Sequence, residues 1–347
     1  MTDRSDSLEL GKMNIRGYVD TYYGFDFNQP VNADRPYAIS SSRHNEVTIN
    51  LAYIDLKYQN NSVRARFIPG FGTYVNTNYA AETGTFKNII EANVGLKLFA
   101  HKDIWLDAGV MGSPFTNETA ISKDHLMYTR SFAPEYVPYY LSGARLTYPF
   151  SSKLKGYFYL INGWQQITDA NNSLSVATQL EWKPTKTMLV NWDTYIGDES
   201  STKEPLYGMR YFSDIYAIYN PTPKWKFTAC AYAGIQQKRD TVLKNETYNT
   251  WWQANIIGQY SISSKTSLAA RIEYFEDMTS AVIRPITAVN GFNSWSMSAC
   301  VNVKITNNAL FRVEGKHFVS DRKMYVDAST QSSFTSNILI TNITVWF

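Results

Sequence analysis

Polar and apolar residues alternate along most of the chain with a period of two, which is the pattern of a β-strand that has one apolar face. The clearest segment runs from Ala309 to Val319, where Arg312, Glu314 and Lys316 share one face and most residues of the other face are apolar. About sixteen such segments follow one another, at a spacing of about 22 residues, and helical periodicity is nearly absent. The pattern predicts an all-β chain without a second domain.

The connections between these segments alternate in length. One set consists of tight turns, such as 59–61 and 101–103, and the other of longer, irregular segments, such as 28–44 and 114–140. Short turns on one rim and long loops on the other are typical of outer-membrane barrels, whereas a soluble sandwich or propeller does not require this alternation. The predicted fold is therefore a closed antiparallel transmembrane β-barrel of about 16 strands, with short periplasmic turns and long extracellular loops.

Composition narrows the class of protein further. Of the 347 residues, 44% are hydrophobic and 15% aromatic, which excludes disorder, and two cysteines cannot form a disulfide framework. The net charge of +3 is too small to indicate nucleic acid as a partner. No metal-ligand spacing, phosphate-binding loop or nucleophile motif occurs, and no histidine is spaced with a serine or aspartate as a barrel hydrolase would need. We expect no enzyme activity, cofactor or metal.

Aromatic residues concentrate at the ends of the predicted strands, where their amphipathic rings would lie at the two membrane interfaces. The set near the short turns includes Tyr58, Phe99, Trp105, Tyr148, Phe150, Trp182, Trp225, Tyr260, Trp346 and Phe347, and the set near the long loops includes Tyr22, Tyr23, Phe27, Trp164, Trp192, Trp251 and Trp252. The terminal Phe347, on an apolar alternating strand, resembles the assembly signal of bacterial outer-membrane barrels.

The chain divides into one domain and a short extension. Residues 13–347 form the predicted barrel, and the polar residues 1–12 an N-terminal periplasmic extension. The start lacks the apolar core of a signal peptide, so we expect a signal to have been removed from a protein of the bacterial outer membrane.

Assigning the apolar parity to lipid leaves many charged residues in the lumen, where about sixteen strands enclose water. The predicted pore-lining residues are Arg16, Asp20, Arg64, Arg66, Glu91, Asp107, Arg145, Asp193, Arg210, Arg271, Arg312, Glu314 and Lys316. Basic residues are dense where the first and last strands meet, and acidic ones lie further round. The charges either create a transverse field that orients solutes or neutralise one another in salt bridges.

Segment 45–58 does not fit a single parity. Val47, Ile49 and Leu51 would face outward, but Asp55 and Lys57 share their parity. We therefore expect a β-bulge or an interfacial position in this strand.

The longest connection, 114–140, is the third on the long-loop rim. It contains the constriction candidates Glu118, Lys123, Asp124, Arg130 and Glu135. In general porins the third loop folds into the lumen and narrows it, and we carry this over as a hypothesis. The alternatives are a loop that packs over the mouth or reaches outward.

One outward-facing strip contains only small residues at three successive positions, Ala229, Ala231 and Ala233. A flat strip lets another protein approach closely, so it is a candidate partner face for a homo-oligomer or another outer-membrane subunit. Ordinary contact with lipid is the alternative.

Several stretches resemble the OmpL-like β-barrel porin family of Gram-negative bacteria, found mainly in Bacteroidota. They are residues 17–23 (GYVDTYY), 128–131 (YTRS), 138–143 (PYYLSG), 162–165 (NGWQ) and 169–172 (DANN). The resemblance spans nearly the whole chain and implies passive transport of small hydrophilic solutes or ions. A non-enzymatic subunit of a larger outer-membrane complex, with a narrowed or plugged pore, is the alternative.

Overall fold

The computed structural model describes residues 13–240 and 245–347. Sixteen antiparallel strands close into one barrel. They are β1 (Met13–Asp26), β2 (Val47–Gln59), β3 (Val63–Phe71), β4 (Ile89–Phe99), β5 (Lys102–Gly112), β6 (Tyr140–Pro149), β7 (Leu154–Ile161), β8 (Ser175–Thr185), β9 (Met188–Asp198), β10 (Tyr207–Tyr219), β11 (Trp225–Asp240), β12 (Asn245–Ser261), β13 (Thr266–Asp277), β14 (Phe292–Thr306), β15 (Ala309–Val319) and β18 (Thr335–Trp346). The short strands β16 (Tyr325–Val326) and β17 (Ser332–Ser333) pair within the last long loop.

Every barrel strand pairs with its neighbour in sequence, and β1 pairs with β18 to close the sheet. Gly17 and Phe347 exchange backbone hydrogen bonds of 2.8 and 3.0 Å at this seam. A closed sheet satisfies its backbone groups and has no free edge, which is the condition for entering lipid.

The connections confirm the alternation of short turns and long loops, with short helices in two of the long ones. The helices are α1 (Thr73–Asn78) and α2 (Phe132–Glu135), and 3₁₀ turns cover Gly84–Asn88 and Ser122–Asp124. In the described part of the chain, no helix is both long and apolar enough to cross a membrane. The predicted extension, 1–12, lies outside the described residues.

The outer face of the barrel is apolar, and several interfacial aromatics are exposed on it. Trp182, Trp225 and Trp252 are examples. Five aromatics assigned to the two interfacial sets lie inside instead, namely Tyr22, Trp105, Trp164, Trp251 and Trp346. Trp105 and Trp251 are buried, at 4% and 1% exposure, because their strand parity points them into the lumen.

A β-bulge in β2 resolves the mixed parity of that strand. Asp20 of β1 pairs with Leu51, whereas the next residue, Thr21, pairs with Ile49, so Asn50 is the extra residue. The expected bulge is confirmed, but the outward assignment of Leu51 is wrong. Beyond the bulge its side chain points inward and is fully buried.

Candidate functional site: the lumen and its third long loop

Loop 3, the connection of residues 113–139 between β5 and β6, crosses the interior of the barrel. The Thr116 amide donates to Asp214 on β10 at 2.9 Å, and the Ser122 hydroxyl bonds to Tyr18 on β1 at 2.9 Å. In the strand order, β10 lies about half-way round the wall from β1. A segment that contacts both strands must pass through the lumen.

Glu314 and Arg271 hold the middle of loop 3. One carboxylate oxygen of Glu314 accepts the amides of Tyr128 and Thr129 at 2.9 and 2.8 Å. The Arg271 guanidinium donates to the Thr129 carbonyl at 2.7 Å and lies 3.3 Å from Glu314. Glu314 on β15 and Arg271 on β13 thus fix Thr129 from different strands, and Glu314 also fixes Tyr128.

Arg312 and Asp20 hold the preceding turn of the loop at the barrel seam. Arg312 donates to the carbonyl and the hydroxyl of Ser122, each at 2.7 Å, and to Thr344 of β18 at 3.1 Å. The Ser122 hydroxyl lies 3.2 Å from Asp20 of β1. One loop serine therefore bonds to groups on β1, β15 and β18.

The basic wall near the seam is neutralised by acidic groups in contact with it. Lys316 lies 2.8 Å from Glu273, which also lies 3.2 Å from Arg271. Lys316 also donates to the Arg130 carbonyl at 3.2 Å. On this side of the lumen the arrangement is the mutual salt bridging that the sequence left open as the alternative to a transverse field.

The candidates within loop 3 have different environments. Glu118 accepts the Ser131 amide at 2.8 Å, and Glu135 accepts the Ile39 amide at 2.5 Å. Arg130 donates to carbonyl oxygens of the loop itself, including that of Thr119 at 3.1 Å. These three side chains are buried and stabilise the loop conformation.

Lys123 and Asp124 instead pair with each other at 2.8 Å in a more accessible position.

Burial raises the pKa of Glu118 and of Glu135 above the usual range, and the nearby Arg271 cation opposes this for Glu118. Enclosure lowers the pKa of His125 well below its usual range, and the positive charge of Arg130 acts in the same direction.

A cavity of about 540 Å³, here called the loop cavity, lies among the long loops. Trp164, Gln165, Glu135, Glu204 and Arg210 are in its lining. The Arg210 guanidinium stacks on Trp164, 4.9 Å from the ring centroid. The cavity thus combines aromatic surface with charges of both signs.

A second cavity of about 460 Å³, here called the arginine cavity, lies between loop 3 and strands β2–β6. Arg64, Arg66, Arg145 and Glu91 are in its lining. Arg64 and Arg145 both bond to Asp107, at 2.5 and 3.0 Å.

Arg66 pairs in the same way with Asp55 at 3.0 Å and with Glu91 at 2.8 Å. The three arginine side chains are 23–32% exposed, whereas those of Asp107 and Asp55 are only 1% and 8% exposed. The guanidinium groups are therefore more accessible to a solute than Asp55 and Asp107, while Glu91 and Asp124 are acidic groups of the same lining.

The linings of the two cavities meet at Tyr139, whose hydroxyl donates to Glu135 of the loop cavity at 3.3 Å and whose amide donates to Gln165. Gln165 is in the lining of the loop cavity and Tyr139 in that of the arginine cavity. The Gln165 side-chain oxygen accepts the Tyr139 amide at 2.7 Å, and its nitrogen lies 3.1 Å from the side-chain oxygen of Asn78. Residues of loop 3, the 162–174 loop and α1 thus bond to one another where the two linings meet.

Other sequence candidates lie apart from these contacts. Arg16 is exposed near the turn-side end of β1, where it bonds to Asn14 at 2.8 Å. Asp193 is fully buried beside loop 3. Ala231 and Ala233 are exposed on the outer face and Ala229 is partly so.

Sequence reasoning did not place Gln165, Tyr139 or the first two long loops among the functional residues. Loop residues have no strand parity, so their direction cannot be inferred from alternation. Pro138-Tyr139 and Trp164-Gln165 did occur in the stretches that carried the family resemblance.

A closed, 16-stranded antiparallel barrel with an apolar exterior, a charged lumen and an inward-folded third loop is an outer-membrane channel of the porin type. The chain belongs to the "Putative beta-barrel porin-2, OmpL-like" family, whose model matches residues 12–347. Its location is the bacterial outer membrane, and the family is one of channels rather than enzymes. No curated protein sequence is significantly similar to the chain.

Solved porin structures share the fold at low sequence identity. The outer-membrane channel DcaP of Acinetobacter baumannii is 10% identical, with a TM-score of 0.66, covering 96% of this chain and 97% of that one. A trimer form of OmpT from Vibrio cholerae is 11% identical, with a TM-score of 0.60 and coverage of 96% and 99%. The anion-selective porin from Comamonas acidovorans is 7% identical, with a TM-score of 0.60 and the same coverage.

Proposed function

We propose that small hydrophilic solutes diffuse through this barrel by way of the loop cavity and the arginine cavity, and that anions pass more readily than cations. The observation that carries the anion preference is the orientation of Arg64, Arg66 and Arg145. Their partners Asp55 and Asp107 are nearly buried, so a solute meets the guanidinium groups before these two carboxylates, and Glu91 is the more exposed partner of Arg66. Guanidinium forks bind carboxylates and phosphates well.

We place the constriction of this path where loop 3 meets the 162–174 loop, because the linings of the two cavities meet there. Gln165 bonds there to both Tyr139 and Asn78. Gln165→Ala removes these bonds and side-chain volume, so it should increase single-channel conductance. The pore-lining and constriction roles of the other candidate residues, including Glu91, Asp193 and Arg210, are part of the same proposal.

The test is single-channel recording in a planar bilayer under a KCl gradient. The reversal potential should show Cl⁻ to be more permeant than K⁺. One unit charge at about 10 Å contributes ~0.4 kcal/mol in a water-like dielectric, which is about twofold for each ion and opposite in sign for Cl⁻ and K⁺. Arg66→Gln or Arg145→Gln should therefore each lower the ratio of Cl⁻ to K⁺ permeability about fourfold. Lys153→Gln, in an exposed periplasmic turn, is the matched control. A cation-selective wild-type channel would overturn the anion preference.

The alternative function, a non-enzymatic subunit with a plugged lumen, is favoured by how completely loop 3 fills one side of the barrel. Arg271 and Arg312 are buried there, at 3% and 0% exposure. A folded barrel that carries no current would support this alternative over diffusion.

Self-association through the outward alanines is a separate proposal, supported by the trimer form of OmpT. Ala231 is exposed and pairs across the strands with Ala254, so the small surface extends over two strands. Ala231→Trp should then lower the native mass of the detergent-solubilised protein. An unchanged mass would exclude this face as the interface.

A further inference from the structure

Four inward-facing side chains form a row across β8–β11. Gln179 pairs with Asp193, Asp193 with Asp214, and Asp214 with Tyr232. Cβ atoms of directly opposed residues in antiparallel strands lie about 4.5–5.5 Å apart. The two carboxyl groups are therefore immediate neighbours, with a tyrosine beside one of them.

Most oxygen atoms of this group have no hydrogen-bond partner among the described residues. Both carboxylate oxygens of Asp193, one of Asp214 and the hydroxyl of Tyr232 are buried without one. The other Asp214 oxygen accepts the Thr116 amide of loop 3. Asp193, Asp214 and Tyr232 are 0%, 2% and 4% exposed.

No described cation compensates the two charges. The ion pairs of residues 13–240 and 245–347 use other lumen acids, such as Asp107, Glu273 and Glu314, and none includes Asp193 or Asp214. The adjacent Gln179 amide is also engaged, because its nitrogen donates to Asn191 at 3.0 Å. Two buried, unpaired carboxylates are costly, so either a shared proton or a bound cation must neutralise them.

We propose that Asp193 and Asp214 bind a divalent cation of the calcium type beneath loop 3, with the Tyr232 hydroxyl as a third protein ligand. The free atoms are all oxygens, and their two negative charges match a divalent ion. No described group of three or more His, Cys, Asp or Glu side chains could hold a metal, so water must complete this coordination shell. The bound cation would also fix Asp214, and through it the start of loop 3 at Thr116.

Terbium luminescence tests the site, since Tb³⁺ replaces Ca²⁺ and is sensitised by nearby tyrosine. The full chain, free of lipopolysaccharide in detergent, should show luminescence that Ca²⁺ displaces. Asp193→Asn and Asp214→Asn should weaken Tb³⁺ binding by more than about tenfold, which is the effect of losing even a supporting group at metal sites. Tyr232→Phe should weaken it less.

Glu181→Gln is the matched control, because Glu181 is a lumen acid on β8 that bonds to Lys183 instead. Ca²⁺ should also raise the melting temperature of the wild type and of this control, but not of Asp193→Asn. The isosteric change removes one of two repelling charges, so misfolding is not expected to hide the result.

Equal Tb³⁺ affinity in all variants would overturn the proposal. So would a melting temperature that depends on pH but not on Ca²⁺, since the two carboxyl groups would then share a proton. Neither result affects the anion preference, which the reversal potential reads separately.

Discussion

Replacing Glu314 with alanine should release the middle of loop 3 without opening the barrel. The carboxylate accepts two loop amides and the Thr129 hydroxyl, and it also pairs with Arg271. Arg271 keeps Glu273 as a partner in the variant, so its charge remains compensated. The loss should therefore be confined to the loop.

The magnitude follows from the bonds that disappear. A hydrogen bond to a charged group contributes about 1.5–3 kcal/mol, and bonds to one carboxylate are not additive. A loss of ~3 kcal/mol corresponds to a shift on the order of 100-fold in the equilibrium between the docked and released loop. The amides of Tyr128 and Thr129 should then exchange with solvent faster by about that factor.

Hydrogen exchange read by mass spectrometry on a peptide covering 126–131 measures this directly. Glu314→Gln keeps one acceptor oxygen and should fall between the wild type and the alanine variant. Asp124→Ala is the control, because among the described residues the Asp124 carboxylate bonds to the adjacent Lys123 and not to a strand. Wild-type exchange rates in Glu314→Ala would refute the assignment of Glu314 as the group that holds the loop.

Two further predictions concern pH and the backbone. Burial raises the pKa of Glu118 above its ordinary value of 4.5, so the docked loop is favoured when this group is protonated and loses stability as the pH rises through the raised pKa. Conductance should therefore fall as the pH is lowered through the raised pKa of Glu118, and Glu118→Gln should reduce this dependence; an unchanged profile would assign it to other groups. Gly109 has φ +124°, and a Cβ there would lie 2.2 Å from the Ala92 carbonyl oxygen, whereas a Cβ on Gly315 would meet nothing within 4 Å. Gly109→Ala should destabilise the barrel by more than about 1 kcal/mol, and Gly315→Ala should be neutral or stabilising by up to ~1 kcal/mol. Thermal unfolding of the two variants measures this difference, and equal melting temperatures would contradict it.

The barrel could be inferred from the sequence because each strand contains its own signal. Parity identifies the inward face locally, and the conflict between Ile49 and Asp55 was sufficient to locate the bulge in β2. The alternation along the strands also predicts that the side chains of Trp105 and Trp251 point into the lumen. These residues lie two positions from the inward-facing polar residues Asp107 and Gln253 on the same strands. Assigning them to the membrane interface by residue type was therefore wrong, and the alternation was the better guide.

The contacts of loop 3 could not be inferred in the same way. The Thr116 amide meets Asp214 across 98 residues of chain, and the Tyr128 amide meets Glu314 across 186. Such pairs depend on where a loop without periodicity enters a closed wall. The choice between a transverse field and salt bridges rested on the same missing information, because it depends on which charges come into contact.

The attachment of loop 3 at Ser122 constrains the order in which this protein can fold. Ser122 bonds to Tyr18 of β1, Arg312 of β15 and Thr344 of β18, and so lies against the seam that joins the two ends of the sheet. Those strands are about 300 residues apart in sequence, so their pairing carries a large loop-closure entropy and is expected to form late. If the barrel closed first, the pairing of its strands would have to reopen before loop 3 could enter the lumen. We therefore expect loop 3 to be in place before β1 pairs with β18, so that it acts as a template on which the first and last strands meet.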